Sequence, residues 1–174
     1  QSSMVNHRMH GMWKYASMLG LKEDSPVVTL GEGDTPLLKS TINGQDVYFK
    51  MESQNPTGSF KDRGTAVLLS FLLSRGVRDA VEDSSGNAGA SFAAYAAKTG
   101  LSGTIYAPES TSGPKRRQIE MYGANLVRIP GPRSEAARAV LTAVEGGSVY
   151  ASHAYMPFGL AGYATIAYEL VDSL

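Results

Sequence analysis

The chain has 174 residues, 43% of them hydrophobic and 18% charged, which suits one ordinary globular domain and excludes a disordered or fibrous protein. Sixteen basic residues balance sixteen acidic ones, so no overall field recommends nucleic acid or an anionic membrane as a partner, and a small neutral or zwitterionic ligand fits better. The absence of cysteine excludes disulfides, thiolate zinc sites and a cysteine nucleophile, and no apolar run approaches transmembrane length; the expectation is a soluble, cytoplasmic protein.

Gln1-Ser2-Ser3 before Met4 reads as an expression scar and is set aside. His7 and His10 lie in a methionine-rich stretch with no carboxylate close by, a pattern of bystanders rather than metal ligands, and no metal is expected. Trp13 to Ala16 predicts a short helix, and Val27 to Leu30 a short buried strand ending at the turn Gly31-Glu32-Gly33-Asp34-Thr35-Pro36. That turn is not a dinucleotide fingerprint, because Pro36 stands where a third glycine is required. Asp46 to Met51 alternates, with Val47, Phe49 and Met51 on one face and Tyr48 and Lys50 on the other, and predicts a strand.

The strand leads into Asn55-Pro56-Thr57-Gly58-Ser59-Phe60-Lys61-Asp62-Arg63-Gly64. Pro56 and Gly58 break regular structure, and Ser59 with Asp62 three residues on resembles a capping box ahead of an apolar helix running to Leu73 and closed by Arg75-Gly76. Lys61 then falls in the first helical turn, where the helix dipole disfavours an ammonium and favours the neutral amine that can attack a carbonyl. Two readings stand at this point: a surface lysine carrying an unfavourable dipole contact of roughly a few tenths of a kcal/mol, or a functional amine.

From Asp79 onward short strand patterns alternate with helical ones. Strands are predicted at Ala80-Val81, Gly103 to Ala107, Asn125 to Ile129 and Ser148 to Ala151. Helices are predicted at Ala88 to Lys98, Pro114 to Tyr122 and Ser134 to Glu145, with Gly100, Gly123 and Gly146 closing them. This alternation predicts right-handed crossovers and a doubly wound α/β fold with a parallel sheet, in which ligands bind at the carboxyl ends of the strands. One loop there, Asp83-Ser84-Ser85-Gly86-Asn87-Ala88-Gly89-Ala90-Ser91, follows a strand and opens a helix. It is suited to hold a carboxylate or phosphate on exposed amides and hydroxyls, and equally suited to cap the helix and let it pack closely. Phe92, Tyr95 and Tyr106 read as core aromatics.

The run P-T-G-S-F-K-D-R-G at 56–64 resembles the cofactor-lysine segment of the fold-type II (tryptophan synthase β-like) pyridoxal-phosphate enzymes, and among them the threonine synthases. Gly31, Glu32, Gly33, Thr35, Pro36 and Leu37 match the family's G-E-G-x-T-P-L segment, and the loop at 84–88 its S-[ST]-G-N-[TA] substrate loop. Ser112 to Lys115 and Tyr122 to Ala124 continue the likeness, which covers nearly the whole chain from Trp13. The resemblance implies pyridoxal 5'-phosphate as cofactor, Lys61 as its Schiff-base lysine, and Asn87 against its phenolic oxygen. It also implies Ser84, Ser85, Gly86, Asn87 and Ala88 around the substrate carboxylate, and a homodimer at full length.

The reaction so implied is conversion of O-phospho-L-homoserine and water to L-threonine and phosphate. The likeness breaks at Met156-Pro157-Phe158-Gly159-Leu160-Ala161-Gly162: the asparagine and arginine with which the family binds phosphate fall on Met156 and Gly159, leaving His153 just upstream as a candidate extra donor. That departure keeps open β-elimination from serine, threonine or a diamino acid, and a non-catalytic amino-acid-binding domain of the same fold is a further alternative. Family chains are about twice as long. The expectation is an N-terminal half: 4–45 belonging with a larger domain, 46–152 a small α/β domain carrying the lysine, and 153–174 the return, beginning a helix at Leu160. By itself such a piece is expected to show little catalysis.

Overall fold

A computed structural model describes residues 9–111 and 113–174; the Gln1-Ser2-Ser3 segment, His7 and Ser112 lie outside the described residues. After a 3-10 helical stretch at Gly11–Met18, the chain forms an antiparallel hairpin of β1 (Leu37–Ile42) and β2 (Gln45–Lys50), in register from Leu37 opposite Lys50 to Ile42 opposite Gln45. Asn43 and Gly44 both have positive φ, +52° and +78°, the two-residue turn whose twist matches a hairpin. β1 was not expected, although Asn-Gly is its sequence signal. The alternation in Asp46 to Met51 does not mark a buried face: Leu38, Ile42, Tyr48 and Phe49 are all exposed, and only Val47 and Lys50 of β2 are half-buried. Nor is Val27 to Leu30 a strand. It lies against helix α1 (Lys61–Ser74) without regular structure, and the buried Val28 gives its N–H to Ser70 Oγ at 3.0 Å instead of to a neighbouring strand.

The second half is a four-stranded parallel sheet of β3 (Asp79–Glu82), β4 (Ser102–Pro108), β5 (Asn125–Ile129) and β6 (Val149–Tyr150), in the spatial order β5-β4-β3-β6. The chain winds outward from β3 through α2 (Asn87–Thr99) to β4, and through α3 (Pro114–Met121) to β5. It then returns by α4 (Arg133–Glu145) to lay β6 against the other side of β3. Right-handed crossovers in opposite directions put helices on both faces, so the sheet is doubly wound, with its switch point between β3 and β6. Alanine, valine and isoleucine fill the sheet interior (Ala80, Val81, Ile105, Ala107). Met12, Trp13 and Val28 join Leu69, Leu72, Phe92 and Tyr95 in one continuous core over it. Among the described residues no helix is long and apolar enough to cross a membrane.

α1 is buried nearly all round, as its apolar run predicts, but its first turn is polar and works differently from a capping box. Ser59 Oγ accepts the Lys61 N–H at 3.2 Å, while the Asp62 carboxylate reaches past it to the Thr57 N–H at 2.7 Å and the Thr57 hydroxyl. The segment before the helix is thereby folded back over its own N-terminus. Arg63 is wholly buried between Glu52 and Glu169, with Nε and Nη2 on Glu52 at 2.8 Å, Nη1 and Nη2 on Glu169 at 2.7 and 2.8 Å, and Thr35 and Thr165 completing the shell. Burial works against ionisation of Glu169, but Arg63, Lys50 at 2.6 Å and the Asp34 N–H outweigh it and hold its pKa down at about 2. The helix predicted at Leu160 is α5 (Leu160–Ser173), and its buried face is polar and small (Gly162, Thr165, Glu169), while Leu160 and Val171 are exposed. A Cβ on Gly64 would overlap the Tyr163 ring, and one on Gly162 the Arg63 carbonyl, so glycine is what lets the two helices touch.

Candidate active site

Lys61 is the first residue of α1 and is half-buried. Its ammonium lies 4.8 Å from the centre of the Phe60 ring and 5.4 Å from that of Tyr163, the two rings meeting edge to face at 5.3 Å. Among the described residues it has no hydrogen-bond or ion-pair partner. Loss of water on burial lowers its pKa, with the Glu82 carboxylate pulling the other way. The lysine that sequence spacing singles out therefore presents an unpaired and partly desolvated amine. Burial, followed by the Glu82 and Asp62 carboxylates, pushes the adjacent Tyr163 hydroxyl up to about 12, so it stays protonated at neutral pH.

The predicted loop lies at the carboxyl end of β3. Ser84 is buried and its Oγ accepts the Gly86 N–H at 3.3 Å; Ser85 is half-buried with its hydroxyl 3.4 Å from that of Thr111. Asn87, exposed, is the first residue of α2, and Ala88 is buried behind it. A Cβ on Gly89 would collide with the Ser84 carbonyl, so the loop closes on the helix only because that position is bare. Ser84 thus secures the turn, as the capping reading expects, while Ser85, Gly86 and Asn87 stay at least partly accessible. The structure does not join Lys61 to Asn87 by a hydrogen bond. The lysine loop is held from elsewhere, by Lys115 Nζ and Gln118 Nε2 of α3 on the Thr57 carbonyl at 2.9 and 3.2 Å.

Sequence reasoning missed Glu82. It ends β3 at 1% exposure, and its Oε1 lies 2.7 Å from Nδ1 of His153, three residues past β6. Burial pushes its carboxyl above the usual range, with His153 opposing. Both residues line a cavity at the switch point together with Thr65, Ala88, Met156 and Gly159, and Tyr163 forms a wall shared with Lys61. Tyr95 is a core aromatic as expected, but it is also a donor: its hydroxyl and the Trp13 indole N–H (2.7 Å) both bond the buried Glu32 carboxylate. The Gly31 to Leu37 segment is in this respect a clamp, with Thr35 on Glu52 and Arg63.

A helix-opening amine that is unpaired among the described residues agrees with what comparison finds. The family model for pyridoxal-phosphate dependent enzymes matches residues 28–174. The chain belongs to that family. It is 36% identical over 176 residues to a threonine synthase of Methanocaldococcus jannaschii, covering 98% of this chain and 44% of that protein. The threonine synthase of Halalkalibacterium halodurans is also 36% identical, with 92% and 47% covered. The chain spans a little under half the length of these relatives. Among solved structures it is similar to a pyridoxal 5'-phosphate-dependent aspartate racemase (TM-score 0.72, 29% identity, 80% of this chain and 46% of that one). An O-acetylserine dependent cystathionine beta-synthase from Helicobacter pylori gives TM-score 0.72 at 28% identity, over 82% and 51%. The fold is thus that of fold-type II, and the cofactor of the family is pyridoxal phosphate. The residues present fit such a group: an amine unpaired among the described residues and able to bond its aldehyde, and half-buried backbone at Gly86 just ahead of α2.

Proposed function

We propose that the full-length protein carrying this chain is a pyridoxal-phosphate-dependent lyase that breaks a carbon–heteroatom bond on the side chain of a short α-amino acid. The observation that carries this reading is Lys61, a helix-opening amine with lowered pKa and no partner at the mouth of the crevice. Lys61 would bond the cofactor and, once released, take and return protons at the substrate Cα and the adjoining side-chain carbon. Asn87 would orient the cofactor ring, and Ser84, Ser85, Gly86 and Ala88 would frame the substrate carboxylate by offering amides rather than charge. When bound, pyridoxal phosphate supplies the electron sink for the pair left at Cα. A homodimer is the assembly proposed for it.

Two reactions of this type divide the support. The relatives' names favour the threonine synthase reaction, O-phospho-L-homoserine and water to L-threonine and phosphate. The cavity at Met156 and Gly159 favours the second, β-elimination from serine, threonine or a diamino acid, because it offers a carboxylate where a phosphate needs cations. Borohydride reduction of the full-length protein with pyridoxal phosphate, then peptide mapping, tests the shared part; a cofactor-sized mass on Lys61 is expected, and an unmodified Lys61 overturns it. Phosphate release measured against 2-oxo acid and ammonia formation separates the two reactions.

A further inference from the structure

A carboxylate at the end of a buried parallel strand is an unusual component, since strands covered on both faces are built from apolar side chains. Glu82 is enclosed to 1% exposure and only half satisfied: His153 holds Oε1, and Oε2 has no hydrogen-bond partner among the described residues. The residue lines the cavity between β3 and β6, which admits about 10 Å³, the space of a single water-sized group. His153, Met156 and Gly159 line it too, and its Tyr163 wall is the ring beneath the Lys61 ammonium. An acceptor in such a place calls for a donor. A phosphate dianion there would meet a like charge in a space too small for it, with the arginine and asparagine of the resembled family absent at Gly159 and Met156.

We propose that Glu82, oriented by His153, is the specificity-determining group for the distal end of the substrate side chain, and that it receives a non-anionic hydrogen-bond donor, an ammonium or a hydroxyl, in place of a phosphate ester. This rests on the reading of Lys61 as the cofactor lysine. It makes the substrate a short α-amino acid whose side chain ends in nitrogen or oxygen bearing hydrogen. It also gives the buried charge a purpose that stability alone does not require.

The test uses the full-length holoenzyme and reads binding from the change in cofactor absorbance with L-2,3-diaminopropionate, L-serine and O-phospho-L-homoserine. Both donor-ended amino acids, or one of them, are expected to bind about 100-fold more tightly than the phosphate ester. A preference for diaminopropionate that collapses in Glu82→Gln identifies an ammonium ligand, and a preference for serine that survives Glu82→Gln but not Glu82→Ala identifies a hydroxyl. Tighter binding of the phosphate ester, binding of none of the three, or an equal loss for all three in both variants overturns the proposal. Should the variants not fold, competition in the wild-type holoenzyme decides: methylammonium or methanol is expected to compete with the amino acid and inorganic phosphate is not, and the reverse overturns it. Reductive mapping of the same holoenzyme separates the two levels. Cofactor on Lys61 together with a preference for phosphate ester defeats this inference alone, whereas cofactor bound elsewhere defeats the reading beneath it.

Discussion

Lys61 and Arg63 stand two residues apart in the same helical turn and meet opposite surroundings. Residues at this spacing do not face each other, so the turn points one cation into the crevice and the other into the protein. Arg63 is 0% exposed and answered by two carboxylates and two threonine hydroxyls, whereas the Lys61 ammonium, among the described residues, has two aromatic rings beside it and no polar partner. A paired charge fixes the helix in place; an unpaired one is left available. The contrast extends to the acids, since Glu169 is held low by its partners and Glu82, with one oxygen unanswered, is pushed up by burial.

The contrast breaks if the two cations respond alike to replacement. Lys61→Ala in the full-length protein is expected to cut turnover by a factor on the order of 1000 or more while leaving the unfolding midpoint nearly unchanged; unaltered function would favour a non-catalytic binding domain. Arg63→Met should do the converse to stability, costing on the order of 3 kcal/mol in denaturant unfolding, because the half-buried Glu52 loses its cation and the buried Glu169 keeps Lys50 but loses two charged hydrogen bonds. Next in size is Gly64→Ala. Its methyl group meets the Tyr163 ring, so a loss of about 1–3 kcal/mol is expected, along with a shifted pH profile for whatever Lys61 does.

The smallest effect sharpens the comparison between the acids. Glu169, with its folded pKa near 2 against an ordinary 4.5, stabilises the fold fully above about pH 4.5 and loses that contribution as pH falls toward 2. Glu82 has the opposite sign: its raised pKa means that folding costs more as pH rises through it. Glu82→Gln is therefore expected to raise stability at neutral pH, read as a higher thermal midpoint, and to leave it unchanged in acid.

The sheet and its helices were legible because each strand is a short apolar run closed off by a helix and a glycine; Asn125–Ile129 is placed to the residue. The place of Lys61 at the start of α1 was legible locally, from Pro56, Gly58 and the apolar run that follows, whereas its cofactor role comes from the resemblance. Val27 to Leu30 misled because an apolar run covered by a helix looks the same as one covered by neighbouring strands. The turn of Ser59 and Asp62 misled by two residues, since Asp62 chose Thr57. Glu82 was invisible for a different reason. Its meaning depends on His153, 71 residues away, and on a return crossover that no spacing in the sequence announces.

Trp13 is the chain's sole tryptophan, 2% exposed, with its indole bonded to Glu32, whose other oxygen meets Tyr95 of α2. Glu32 thus ties the 3-10 stretch at Gly11–Met18 to α2 through one fluorophore. Its emission will report the docking of that stretch on Glu32, and with the cofactor on Lys61, as proposed, the cofactor's own absorbance would give a second optical channel, so that frame and chemistry could be followed separately.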